Sequence, residues 1–86
     1  MSKVIVHKRA AKYLQKLPQD RQTQLKNVLK ALENDPLAHP GLKTMVGQWA
    51  GYYRLRVGVI RIIFWFDAAK DIVYIDHIGP RGDIYK

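Results

Sequence analysis

The sequence predicts an α+β domain in the order β-α-α-β-β-β, with two N-terminal helices packed on a mostly antiparallel twisted sheet. Three observations carry that reading. Helical periodicity is confined to residues 8–34, strand-like runs fill residues 52–78, and a length of 86 residues leaves room for one domain, residues 1–86. The first element is the run Lys3 to His7, whose Val4-Ile5-Val6 centre is β-branched and suits a pleated surface. From Lys8 the period changes. Ala10, Leu14 and Leu17 recur at spacings of four and three, which predicts an amphipathic helix of about two turns that ends near Pro18. A second helix follows, with Leu25, Val28, Leu29 and Leu32 on one stripe, and Asn34-Asp35-Pro36 stops it.

Residues 36–47 hold two prolines and two glycines without a sustained period, so the sequence predicts a surface loop with room for one helical turn. Three strands then read as Tyr52 to Val57, Ile60 to Phe66 and Ile72 to Ile78, joined by connections short enough for antiparallel hairpins. Alternation separates Tyr53, Leu55 and Val57 from Arg54 and Arg56. In the next strand it separates Ile60, Ile62, Phe64 and Phe66 from Arg61, Ile63 and Trp65. The helices cover one face of such a sheet and leave the arginine face open.

Composition narrows the function. Hydrophobic residues make up 48% and charged residues 26%, which describes a globular chain rather than a disordered one. Fifteen Lys and Arg against seven Asp and Glu give a net charge of +8, so a polyanionic partner is expected. Zero cysteines exclude a disulfide framework, a thiolate metal site and a thiol nucleophile. The longest apolar run, Ile62 to Phe66, is far too short to span a bilayer, and no leader pattern opens the chain, so a cytoplasmic location is expected.

The motifs of common enzymes are missing. Glu33 is the only glutamate, His7, His39 and His77 lie far apart, and the glycines form neither a phosphate loop nor a dinucleotide fingerprint. No metal and no cofactor are expected. What remains is Arg54, Arg56, Arg61 and Arg81, with Tyr85 close behind. Clustered guanidiniums repel one another, so they destabilise a fold unless an anion sits between them. Their planar forks match phosphate oxygens, whereas lysine is a point charge.

Gly51-Tyr-Tyr-Arg-Leu-Arg-Val-Gly-Val-Ile-Arg-Ile-Ile-Phe64, followed by Ile78-Gly-Pro-Arg-Gly-Asp-Ile-Tyr85, resembles the RelE-type toxins of the RelE/ParE toxin–antitoxin superfamily. The Leu17-Pro18 junction and the Asn34-Asp35-Pro36 stop fit the same resemblance, which covers almost the whole chain. It implies a metal-independent, ribosome-dependent endoribonuclease that cuts mRNA in the A site by 2′-OH attack and inhibits translation. It also implies a cognate acidic antitoxin, RelB-like or similar.

By the same resemblance, Arg54 and Arg56 stand where several members carry lysines that assist proton removal. Arg61 and Arg81 match arginines that stabilise the transition state and leaving group, Tyr85 matches a tyrosine that stacks on or activates the nucleotide, and Lys43 falls near an RNA-contacting basic position. Arginine stays protonated and cannot act as the base, which leaves Tyr85 or His77 for that role. Two other readings compete: a ParE-like toxin that poisons DNA gyrase, and a non-enzymatic basic RNA-binding module, for which +8 alone would suffice.

Overall fold

The computed structural model describes residues 2–39 and 41–80. Its elements run β1 (Lys3–Val6), α1 (Lys8–Gln15), α2 (Gln19–Asn34), β2 (Leu42–Thr44), a 3-10 turn (Gly47–Trp49), β3 (Tyr53–Val57), β4 (Ile60–Asp67) and β5 (Ile72–Pro80). The five strands form one sheet in the order β1-β5-β4-β3-β2. β1 lies parallel to β5, and the other neighbours are antiparallel.

Local chemistry sets the helix ends. His7 caps α1, its Nδ1 accepting from the Arg9 backbone N–H at 3.1 Å and satisfying one of the donors that a helix start leaves orphaned. Pro18 immediately precedes α2, where its restricted φ is compatible with a helix entry. Gln22, one turn into α2, donates from Nε2 to the carbonyls of Gln15 (3.1 Å) and Leu17 (2.9 Å), tying the two helices across their junction. The N-terminus is held too: the Ser2 hydroxyl donates to Asp71 Oδ1 at 2.6 Å, and its backbone N–H donates to Glu33 O at 2.7 Å.

Both helices cover the same sheet face. Ala10, Leu25 and Leu32 from the helices meet Leu55, Val57, Ile60, Ile62, Phe64, Val73, Ile75 and Ile78 from the strands in one buried cluster. The β3–β4 hairpin turns on Gly58-Val59, and the positive φ of Gly58 (62°) is the type II′ solution that matches strand twist.

One element departs from the sequence reading. The segment expected to be loop contains β2, which pairs Leu42, Lys43 and Thr44 with Leu55, Arg54 and Tyr53. Three residues carry no visible period, and their strand character comes from partners on β3, beyond the 3-10 turn. A 3-10 turn does form, but at Gly47–Trp49, where it meets the expected loop only at the loop's last residue. Among the described residues, no helix is long and apolar enough to cross a membrane.

Candidate functional site on the open sheet face

Register builds a grid of cations on the face that the helices leave uncovered. Leu55 and Val57 point into the core, so Arg54 and Arg56 project the other way; Ile60, Ile62 and Phe64 do the same for Arg61, Ile63 and Trp65. Cross-strand pairing then sets Arg56 directly opposite Arg61, and Arg54 between Lys43 on β2 and Ile63 on β4. Directly opposed residues bring their Cβ atoms to about 4.5–5.5 Å, so Arg56 and Arg61 leave the sheet side by side. Arg61 is only 8% exposed, Arg54 is half-buried, and Arg56 and Lys43 are exposed. Across from Arg61 on β5 stands Gly79, which has no side chain to compete with the guanidinium for space.

His77 reaches this face through an irregularity. Val73 and Ile75 point into the core, so simple alternation would send His77 there as well. Instead Phe64 pairs with Ile75 while Ile63 pairs with His77, and the extra residue on β5, Asp76, makes a bulge. The shift returns Ile78 to the core and sets His77 opposite Ile63, one row from Arg61.

His77 Nε2 lies 3.3 Å from Asp76 Oδ2, and the Trp49 ring meets the imidazole edge-on at 5.4 Å. Burial pushes the His77 pKa below its ordinary value, the Asp76 carboxylate opposes that shift, and electrostatic interactions with Arg9 and His7 add to it. Trp49 makes a second edge contact, to Tyr52 at 5.1 Å.

Two cavities flank Arg54. One, of about 270 Å³, is lined by Gly41, Lys43, Arg54 and Arg56. The other, of about 350 Å³, is lined by Thr44, Met45, Val46, Trp49 and Arg54. A cationic cavity and one with Met45, Val46 and Trp49 in its wall therefore share Arg54. Further along the face, Trp65 and Tyr74 stack across β4 and β5 at 4.4 Å.

Of the residues singled out in the sequence, Lys43, Arg54, Arg56, Arg61 and His77 share this one face. Arg81 and Tyr85 lie outside the described residues. Sequence reasoning missed Trp49, which lies between the loop expected at residues 36–47 and the strand expected from Tyr52, and Gly79, whose value is the space opposite Arg61. Among the described residues, no group of three or more His, Asp or Glu side chains is placed to hold a metal ion.

The sequence model of the ParE toxins of type II toxin–antitoxin systems, parDE, matches residues 4–85. The chain belongs to this toxin family, within the RelE/ParE superfamily. Solved relatives share its fold. A RelE–RelB complex from Pyrococcus horikoshii superposes with a TM-score of 0.83 at 26% identity, covering 95% of this chain and 97% of that one. The RelBE2 toxin–antitoxin complex from Mycobacterium tuberculosis gives 0.80 at 23% identity, covering 93% and 98%. The isolated RelE toxin of E. coli gives 0.77 at 20% identity, covering 99% and 92%. No curated protein matches the sequence. The toxin thus has two helices on a five-stranded, mostly antiparallel sheet, as the RelE-like folds do.

Proposed function

We propose that this type II toxin is a ribosome-dependent mRNA endoribonuclease, with the arginine face as its catalytic surface. The observation that supports this best is the opposed pair Arg56–Arg61 with Arg54 and Lys43 in the adjoining row, a convergence of guanidinium forks that suits a phosphodiester. Cleavage begins when a base takes the proton of a ribose 2′-OH. The 2′ oxygen then bonds to the adjacent phosphorus, the bond from phosphorus to the 5′ oxygen breaks, and that oxygen is protonated as it leaves. The products are a 2′,3′-cyclic phosphate and a 5′-hydroxyl.

Arg61 and Arg54 stabilise the charge that gathers on the equatorial oxygens, acting where burial excludes competing water. Tyr85 and Arg81 are assigned the nucleotide-stacking and leaving-group roles on sequence resemblance alone. The ribosome supplies orientation of the message. An acidic antitoxin neutralises the toxin by covering the same cations, in keeping with the toxin–antitoxin complexes among the solved relatives.

Primer extension on ribosome-bound message tests the assignment. The wild-type toxin cuts within the A-site codon, and Arg61→Ala lowers the rate by roughly 100- to 1000-fold, the cost of one transition-state donor. The family description also names ParE, which favours a second reading in which the target is DNA gyrase. Inhibition of gyrase supercoiling by the wild-type toxin, with intact message in the primer-extension lanes, would replace the first reading by the second.

A further inference from the structure

The cavity between β2, the 3-10 turn and β3 has no role in the phosphate chemistry, yet Arg54 lines both it and the cationic cavity lined by Lys43 and Arg56. A nucleotide has the same two-part character: an anionic phosphate joined to a flat, largely apolar base. We infer that the cavity formed by Thr44, Met45, Val46, Trp49 and Arg54 receives an unpaired nucleobase of the RNA strand whose phosphate lies among Arg54, Arg56 and Lys43. This rests on the endoribonuclease reading and adds to it a site for choosing among bases.

Three features of the cavity support a base as occupant. Trp49 is held by edge contacts to Tyr52 and His77, so its indole is oriented before any ligand arrives, and a rigid aromatic platform is what base stacking requires. Val46 is 85% exposed beside it, an apolar side chain with little burial of its own that a bound base would cover. Arg54, which lines both cavities, also carries a guanidinium whose plane can stack on a base and whose donors can hold a phosphate. An apolar segment of a protein would use the first two features but has no need of the third.

The test uses a W65F variant of the full-length toxin, in which Trp49 is the only tryptophan. It is titrated with a 2′-O-methylated RNA trinucleotide, which cannot be cut, and with an abasic version carrying the same phosphates. The expected result is quenching of Trp49 fluorescence by the base-bearing RNA and affinity about tenfold or more higher than for the abasic strand, the size of one base–aromatic stack. Adding Val46→Asp, at a position 85% exposed and outside the buried core, lowers affinity for the base-bearing RNA at least tenfold and narrows the gap to the abasic strand.

Equal affinities for the two RNAs, without quenching, would leave phosphate as the only ligand and give the cavity to a protein segment, overturning the inference. Absence of binding by either RNA would overturn it as well. Primer extension separates this result from the function itself. Quenching without message cleavage by the wild-type toxin refutes the nuclease and keeps the base site, whereas cleavage with an unchanged codon pattern in Val46→Asp refutes the base site and keeps the nuclease.

Discussion

If Lys43, Arg54, Arg56 and Arg61 form an anion site, an inorganic polyanion must stabilise the fold even without RNA. Pyrophosphate at ten times its dissociation constant contributes RT ln(1 + [L]/Kd), about 1.4 kcal/mol. Unfolding entropy near 2.1 cal/mol/K per residue over 86 residues comes to about 0.18 kcal/mol/K, so the midpoint rises by about 8 °C. The double variant Arg54→Gln/Arg56→Gln separates site binding from general screening. In sodium chloride it is more stable than wild type, because it removes the like charges facing Lys43 and Arg61, worth about 0.2–1 kcal/mol per opposed pair before screening. In pyrophosphate it loses most of the midpoint shift, so the order of the two proteins reverses. Thermal melts followed by far-ultraviolet circular dichroism, at matched ionic strength in the two salts, provide the comparison. Equal midpoint rises in chloride and pyrophosphate, or an undiminished rise in the double variant, would refute the convergence of these side chains on one anion.

Three further outcomes follow from the geometry. Because the folded pKa of His77 is depressed, the stability held by its neutral form is complete above the ordinary imidazole value of 6.5 and declines as pH falls through the lower folded value. His77→Asn removes that slope between about pH 7 and 5, as urea midpoints measured across the range will show. Gly58→Ala costs about 1–2 kcal/mol because an alanine must adopt φ near +62°, while its Cβ would lie an ordinary 3.4 Å from Arg21 Nη1; the urea midpoint reads the loss. Phe64→Ala, at a fully buried site that also stacks on Tyr53 at 5.6 Å, costs about 3–5 kcal/mol and leaves little or no folded protein at 37 °C by circular dichroism.

Much of the site was legible because strand alternation is a local rule. Leu55 and Val57 mark the face of Arg54 and Arg56, and Ile60, Ile62 and Phe64 mark that of Arg61, with no knowledge of the partner strands. Two parts were not legible. β2 is three residues long, and its place beside Arg54 depends on pairing with β3, a contact no local window contains. The position of His77 depends on the Asp76 bulge, which breaks the period on which the face assignment relied: counting by twos from Val73 gives the core, and the structure gives the opposite face. Trp49 was hidden for the first reason, since only the β2–β3 pairing folds its turn over the arginines.

The same period that exposes the arginines also guards the fold against misregister. A one-residue slip of β3 or β4 would turn Arg54, Arg56 or Arg61 toward Leu25 and Leu32, burying guanidiniums among aliphatic side chains at a cost of several kcal/mol each, while Leu55, Ile62 and Phe64 moved into water. The charges that make the native face self-repelling therefore make the neighbouring registers far worse. Fold specificity and the cationic face come from one pattern, so the arginines raise the energy gap to wrong pairings even as they lower the stability of the right one. β5 carries no arginine or lysine between Ile72 and Pro80, and it is there that the sheet accommodates an extra residue, Asp76, and hands His77 to the face.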